Sequence, residues 1–222
     1  MNAKDLLNNV LVATAVLCAV VSTGLLVRRE FFMDRPAASQ GPVRLQNSQK
    51  YAVGHHFGAP DAAVKIVEFS DFQCSFCKRF VDSTWSIVRK RFPNDVALIY
   101  RHWPLTTHKH AYAAARASEC AAQQEKFAAF HDVLFQKQDS IGTKPYPEFA
   151  VEAGVPDTAA FNACNARTEK VPAIERDIAA ARELQARGTP AILVNDKRFP
   201  ANPTTEQLVS LIEEELKEKR KR

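Results

Sequence analysis

The sequence contains few cysteines, few glycines and only a small excess of charge, and each shortage argues against a class of protein. Five cysteines among 222 residues are too few for a small domain built on disulfides. Seven glycines argue against collagen-like and glycine-rich low-complexity chains. The net charge is only +5, and no basic stripe with interleaved aromatic residues is present, so no nucleic-acid partner is expected. A hydrophobic content of 46% argues against a disordered chain.

The longest uncharged stretch lies near the N-terminus and predicts a transmembrane helix. Residues 6–27 are 22 positions without a charged side chain, and a helix of that length spans about 33 Å, enough for a bilayer core. Arg28 and Arg29 end the stretch. A cleaved signal peptide is the alternative. Because the run exceeds the ~7–15 apolar residues of such a segment, residues 1–29 are expected to form an uncleaved membrane anchor, or signal-anchor.

Composition divides the rest of the chain into a tether, a domain and a tail. Residues 30–50 mix arginine, proline, serine, glutamine and asparagine without hydrophobic periodicity, which predicts a flexible tether. Residues 51–217 are the predicted domain, and residues 218–222 are a basic tail. The positive-inside rule leaves this domain in the cytoplasm. The rule compares the numbers of Lys and Arg residues on the two sides of the uncharged stretch. These residues are Lys4 before the stretch and Arg28, Arg29 and Arg35 after it.

Alternating strand-like and helical patterns predict an α/β domain. Residues 64–69 and 96–100 are short, β-branched and apolar, which predicts buried strands, and a helical pattern lies between them. These elements form a right-handed βαβ unit. Residues 107–186 are predicted to be an all-helical insert. A strand at 191–194, a hairpin and a final helix capped by Thr204 complete the order βαβ, insert, ββα.

Two cysteines three positions apart, Cys74 and Cys77, stand at the start of the first predicted helix. The helix N-terminus offers unpaired N–H groups and a positive dipole, which stabilise a thiolate at Cys74. Cys77 lies one turn further in and is expected to be the buried, resolving thiol. The same spacing supplies half of many zinc sites. Because no second C-x-x-C follows, zinc has to recruit His102, His108 or His110; the strand–helix context favours redox chemistry, and we expect no metal.

A second element precedes the strand predicted at residues 191–194. Gly188, Thr189 and Pro190 lie about 110 residues after the cysteine pair, and proline is permitted at the first residue of a strand. An X–Pro bond adopts the cis form at a cost of only ~0.5–1 kcal/mol. From these residues alone, both isomers stay open.

Residues 68–77, Glu-Phe-Ser-Asp-Phe-Gln-Cys-Ser-Phe-Cys, resemble the active-site segment of the DsbA-like thiol:disulfide oxidoreductases of the thioredoxin superfamily. The resemblance covers residues 54–216, with its motifs in the same order. It implies a thioredoxin fold with a helical domain inserted after the second strand. The further matching segments are Pro104-Leu105, Glu119-Cys120-Ala121, Phe130-His131-Asp132 and Gly188-Thr189-Pro190.

The resemblance implies roles for the residues around the cysteines. Cys74 becomes the exposed attacking sulfur. Thr189 precedes a cis-Pro190, where its backbone pairs with a bound substrate chain. Glu68 matches a buried acid that moves protons for Cys77, and the alternative is an ordinary solvent-facing strand residue.

The chain departs from the family's common pattern between the two cysteines. Ser75 and Phe76 stand where proline and then histidine or tyrosine are common. We expect Ser75 and Phe76 to bind substrate together with Thr189 and Pro190. Because this dipeptide tunes the thiolate, the oxidising strength is not predicted.

Cys120 and Cys164 lie 44 positions apart on different helices of the predicted insert. Unlinked, each is a small core hydrophobe. The resemblance to family members that carry a second bridge implies a structural disulfide between them.

Together these inferences predict a membrane-tethered oxidoreductase that exchanges a Cys74–Cys77 disulfide with protein thiols and needs no other cofactor. The expected partners are cysteine-containing substrate proteins and a membrane redox partner that reoxidises the pair. The expected location is the inner membrane with a periplasmic domain, in conflict with the positive-inside count. Two alternatives stay open, a reductase or isomerase on the same fold and a non-catalytic, membrane-anchored peptide-binding domain.

Overall fold

The computed structural model describes residues 2–31 and 41–221, which belong to two compact units divided between residues 40 and 41. In the first unit, the predicted anchor segment lies in helix α1 (Ala3–Phe31). No helix within the described ranges is long and apolar enough to cross a membrane, so the predicted transmembrane span is not confirmed. Residues 32–40 of the predicted tether, which include Arg35 of the charge count, and Arg222 of the tail lie outside the described residues.

A six-stranded mixed sheet organises the second unit, with the order β1-β6-β5-β3-β4-β2. β3 and β4 run parallel, and the other neighbouring strands are antiparallel. Both of these strands are buried along nearly their whole length, as expected for continuous apolar strands covered on two faces. The strands are β1 (Val43–Arg44), β2 (His55–Gly58), β3 (Val64–Ser70), β4 (Val96–His102), β5 (Ala191–Val194) and β6 (Lys197–Arg198).

The helices follow the predicted order. A π-helical turn, Phe80–Trp85, joins α2 to α3, α4 to α8 lie between β4 and β5, and α9 follows β6. The predicted α/β order of βαβ, helical insert and ββα is therefore confirmed. Thr204 and Gln207 form the predicted capping box of α9. The helices are α2 (Ser75–Arg79), α3 (Ser86–Arg91), α4 (Ala111–Ala122), α5 (Phe127–Gln136), α6 (Tyr146–Glu152), α7 (Thr158–Asn165), α8 (Pro172–Glu183) and α9 (Thr205–Arg220).

Apolar side chains pack on both faces of the sheet. On one face, Ile66 of β3 belongs to a cluster with Trp85 and with Leu208 of α9. On the other face, Phe69 of the same strand belongs to a cluster with Ala181 of α8. This alternation follows from the two-residue period of a strand, and it fixes β3 between layers of helix.

Two predicted boundaries differ from the structure. Residues 41–50 were predicted to be tether, but β1 pairs with β6, Leu45 N–H donates to the carbonyl of Asp196 at 2.6 Å, and Ser48 is buried. A two-residue edge strand is too short to leave a periodic pattern, which explains the error. The predicted tail is also wrong as a boundary, because α9 continues without a break to Arg220.

Candidate active site

The loop between β3 and α2 presents the cysteine pair. Cys74 is the N-cap residue of α2, and its carbonyl accepts a hydrogen bond from Lys78 N–H at 3.1 Å. Both thiols are free. Cys77 is fully buried, and Cys74 is only 5% exposed. The predicted exposed sulfur is therefore largely covered, because the Thr189 carbonyl lies 3.3 Å from Cys74 Sγ.

Two side chains hold this loop in place. The carboxylate of Asp71 accepts from Gln73 N–H at 2.7 Å and from Leu105 N–H at 2.8 Å. Gln138, in the helical insert, donates from Nε2 to the carbonyls of Phe72 at 2.7 Å and Cys74 at 3.0 Å. The insert thus fixes the backbone on which the outer cysteine stands.

The environment of Cys74 favours its thiolate. A hydrogen bond from the Cys77 thiol is the main cause that lowers the pKa of Cys74 to about 5, against an ordinary value of 9.0. Thr189 and the backbone N–H groups of Phe76 and Cys77 lower this pKa further, while burial opposes them. The N–H groups are those left free by the first turn of α2.

Cys77 has the opposite tendency. Burial raises the pKa of Cys77 well above its ordinary value, and the neighbouring Cys74 and Glu68 raise it further. At neutral pH the reduced pair therefore consists of a Cys74 thiolate and a Cys77 thiol. This division suits the outer sulfur to attack and the inner one to resolution.

Glu68 lies beneath the pair and is fully buried, so its alternative interpretation as a solvent-facing residue is wrong. Ser70 Oγ donates to Glu68 Oε1 at 2.7 Å, and Oε2 has no hydrogen-bond partner among the described residues. Burial raises the pKa of Glu68 to about 8. A group that ionises near neutral pH is suited to exchanging a proton with Cys77.

Thr189 and Pro190 form the wall opposite the cysteines, and their peptide bond is cis. A groove of about 230 Å³ runs between Pro190 and Phe76, whose side chain is 53% exposed. Ser75 is exposed beside it. Of the four residues predicted to bind substrate, Phe76 and Pro190 therefore line this groove, whereas Thr189 is buried and contacts Cys74 through its carbonyl.

The second cysteine pair lies in the helical insert. Cys120 of α4 and Cys164 of α7 form a disulfide with a Cα–Cα distance of 5.8 Å. Phe161 of α7 also packs on Phe130 of α5, with ring centroids 5.6 Å apart, so α7 contacts both α4 and α5. The disulfide thus reinforces the insert.

The histidines proposed for a zinc site do not converge on the cysteines. His102 Nε2 lies 2.9 Å from Glu119, and His108 Nδ1 lies 2.8 Å from Asp71. Within the described part of the chain, no group of three metal-ligating side chains contains Cys74 or Cys77. The geometry therefore favours redox chemistry at the C-x-x-C motif.

Three residues near the cysteines were not found from the sequence. Asp71 carried a local signal, since an aspartate after a strand often accepts from the N–H two residues on. Gln138 and Tyr100 carried none. Gln138 is 64 positions from Cys74, and Tyr100 is a neighbour of Glu68 only through the β3–β4 register.

The chain belongs to the thioredoxin family, because a family model described as thioredoxin matches residues 50–214. It is similar to DsbA2 from Pseudomonas aeruginosa, with 29% identity, a TM-score of 0.56 and 70% of this chain and 90% of that chain covered. It is also similar to a thioredoxin-like oxidoreductase from Silicibacter pomeroyi DSS-3, with 28% identity, a TM-score of 0.62 and coverages of 80% and 99%. The fold matches oxidised BdbD from Bacillus subtilis, with 24% identity, a TM-score of 0.68 and coverages of 80% and 100%.

Curated relatives share this domain within longer proteins. The chain is 30% identical over 172 residues to a Na(+)/H(+) antiporter NhaA from Herminiimonas arsenicoxydans, covering 78% of this chain and 27% of that protein. It is 36% identical over 148 residues to Na(+)/H(+) antiporter NhaA 1 from Mycolicibacterium gilvum, covering 65% of this chain and 24% of that protein. The chain thus spans about a quarter of the length of these relatives.

Proposed function

We propose that this protein oxidises pairs of cysteines in substrate proteins by transferring its Cys74–Cys77 disulfide to them. The observation that carries the proposal is the opposed tendency of the two thiols, with the pKa of Cys74 lowered to about 5 and that of Cys77 raised well above its ordinary value. A stabilised Cys74 thiolate stabilises the reduced protein relative to the disulfide. The disulfide is therefore a good electron acceptor, which favours oxidation of substrates over their reduction.

The exchange proceeds in two steps. A substrate thiolate attacks Cys74 Sγ, forms a mixed disulfide and breaks the Cys74–Cys77 bond. The electron pair goes to Cys77, which takes a proton, and Glu68, a buried acid whose charge raises the pKa of Cys77, is the group proposed to supply it. A second substrate thiolate then attacks the substrate sulfur of the mixed disulfide, and Cys74 leaves as a stable thiolate. The substrate is oxidised by two electrons, and the cysteine pair is reduced.

The proposed substrate chain lies across the surface around Cys74. The backbone of Thr189 is adjacent to the reacting sulfur, and the groove beside Pro190 offers Phe76 as an exposed apolar contact. Backbone pairing is independent of side chains, so this arrangement suits substrates of varied sequence. No bound cofactor is needed, since both electrons pass between sulfur atoms.

We place the domain outside the cytoplasm, tethered to a membrane through residues 1–29 and reoxidised by a membrane redox partner. The Cys120–Cys164 disulfide supports an oxidising compartment. A fold neighbour with 23% identity and a TM-score of 0.60 is described as a periplasmic thioredoxin-like protein from Salmonella enterica. The antiporter relatives support a domain of this family at a membrane, and no ion transport is carried over from them.

The location is tested with reporters fused to the C-terminus of the full chain. An active alkaline phosphatase and a dark cytoplasmic fluorescent protein are expected. The reverse pattern would place the protein in the cytoplasm, in agreement with the positive-inside count, and would favour a reductase.

The reaction is tested with a reduced peptide that carries two cysteines. The oxidised protein is expected to convert it to the disulfide, with one pair of thiols appearing on the protein for each peptide oxidised. A Cys74→Ser variant is expected to be inactive. Cys18→Ala, which removes the free cysteine of α1, is the matched control that keeps full activity. Rapid reduction of insulin without peptide oxidation would instead identify a reductase, and no exchange in either assay would identify a binding domain.

A further inference from the structure

One cluster of ligating side chains lies outside the thiol chemistry. His55 of β2 and His102 of β4 both face Glu119 of α4, and one ligand atom from each residue lies within 4.8 Å of the other two. His55 Nε2 is 2.6 Å and His102 Nε2 is 2.9 Å from Glu119 Oε1. None of the three takes part in the proposed exchange.

Rigid elements hold the three ligand atoms. β2 and β4 are paired strands of the sheet, and Glu119 adjoins Cys120, whose disulfide fixes α4 to α7. The His55 ring stacks on Phe127 with a centroid separation of 3.4 Å. A metal site needs ligands that are already positioned by their surroundings, and these elements supply that.

The cluster is accessible from one side. The side chain of His102 is 1% exposed, whereas those of Glu119 and His55 are 15% and 25% exposed. Glu119 also lines a cavity of about 380 Å³ beside the Cys120–Cys164 disulfide. Glu119 and His55 are therefore reachable from solvent, which an ion needs in order to enter the site.

We propose that His55, His102 and Glu119 form a Zn²⁺ site with three protein ligands and one open position. Two imidazole nitrogens and one carboxylate oxygen suit zinc, whose bonds to such ligands are about 2.0–2.2 Å long. They do not suit calcium, which prefers six to eight oxygen ligands. In the absence of zinc, the two imidazoles donate from Nε2 to the Glu119 carboxylate. When zinc binds at Nε2, each ring carries its proton on Nδ1 instead.

The proposed zinc site lies between the sheet and the helical insert, so an ion bound there would join the two. β2 lies at the edge of the sheet, and α4 is the first helix of the insert. A shared ion thus clamps the insert to the sheet at a point other than the contact between Gln138 and the active-site loop. Zinc binding is expected to raise thermal stability without involving the reactive thiols.

The test is zinc titration of the purified full chain, freed of metal and with Cys74 and Cys77 oxidised so that neither thiol binds the ion. Calorimetry is expected to show one Zn²⁺ per chain and a raised melting temperature. His55→Ala is expected to weaken binding by more than about 100-fold, the upper range for loss of an outer-shell partner. His56→Ala is the matched control, because neighbouring residues of a strand face opposite ways and His56 is exposed.

A second variant guards against misfolding. Glu119→Gln keeps the shape of the side chain but removes its charge, and it is expected to weaken zinc binding while its circular dichroism matches that of the unaltered protein. Co²⁺ is expected to give the intense visible absorption of a four-coordinate site. The proposal is overturned by the absence of stoichiometric binding, by equal binding in His55→Ala and His56→Ala, or by a preference for Ca²⁺ over Zn²⁺.

Discussion

Replacement of Cys77 tests the origin of the Cys74 thiolate. The Cys77 thiol is the main donor that lowers the pKa of Cys74 from 9.0 to about 5. Since a tenfold change in an acid constant is about 1.4 kcal/mol, the surroundings favour the thiolate by about 5 kcal/mol. Cys77→Ala removes that donor, so the pKa of Cys74 is expected to rise, whereas Cys77→Ser keeps a hydroxyl donor and is expected to raise it less.

The assay is the ultraviolet absorbance of the thiolate as a function of pH, in reduced protein carrying Cys18→Ala to remove the other free thiol. Wild-type titration is expected to centre near pH 5. Val81→Ala is the control for loosened packing one turn further along the helical segment, and it is expected to leave the midpoint unchanged. A wild-type midpoint near 9, or equal midpoints for Cys77→Ala and Cys77→Ser, would refute the assignment of Cys77 as donor.

The lowered pKa of Cys74 also predicts how the free energy of unfolding of the reduced protein depends on pH. Between pH 5 and 9 the unfolded reduced chain holds a proton on Cys74 that the folded chain has lost, so the contribution of Cys74 to the stability of the reduced protein rises with pH across this range. At pH 7 the contribution is about 3 kcal/mol. The oxidised protein has no such thiol, whereas Glu68, whose raised pKa acts in the opposite direction, is present in both redox states. Urea denaturation is therefore expected to show the reduced protein gaining stability relative to the oxidised protein as the pH rises.

Three further variants test the supporting residues. Glu68→Gln is expected to become progressively more stable than wild type from pH 4.5 to 8, because folded Glu68 keeps its proton until about pH 8. Thermal melts check this. Glu218 is exposed, so Glu218→Gln is the control that is expected to keep the wild-type stability at each pH. Cys120→Ala with Cys164→Ala is expected to cost about 2–4 kcal/mol in urea denaturation, with the Cys74 alkylation rate unchanged. Gln138→Ala is expected to cost about 1–2 kcal/mol and to slow thiol exchange, measured by peptide oxidation.

The parts of the fold that could be predicted from the sequence are those with local signals. β3 and β4 are continuous apolar runs, and the capping box at Thr204 and Gln207 spans only four residues. β1 left no signal because it is two residues long. β2 was also missed, since its alternating half-buried pattern spans only four residues and begins with two histidines.

The residues of the candidate site also divide into those that form a local sequence pattern and those that do not. Cys74 and Cys77 are only three positions apart, and their pattern at a helix N-terminus is visible in the sequence alone. By contrast, Gln138 reaches Cys74 only because the insert folds back over the loop. The cluster of His55, His102 and Glu119 was missed, and no metal was expected, because its ligands come from three elements separated in sequence. Long-range register and packing determine these contacts, and no local pattern encodes them.

Trapping of the mixed disulfide tests the central claim most directly. Cys77→Ser cannot resolve a disulfide between Cys74 and a substrate, so covalent complexes are expected to accumulate in cells and to appear on non-reducing gels. Cys74→Ser is expected to trap almost none, since Cys77 is buried and its raised pKa keeps it protonated. Mass spectrometry of the trapped bands is expected to find proteins with several cysteine pairs. Equal trapping by both variants, or by neither, would contradict the assignment of Cys74 as the attacking sulfur.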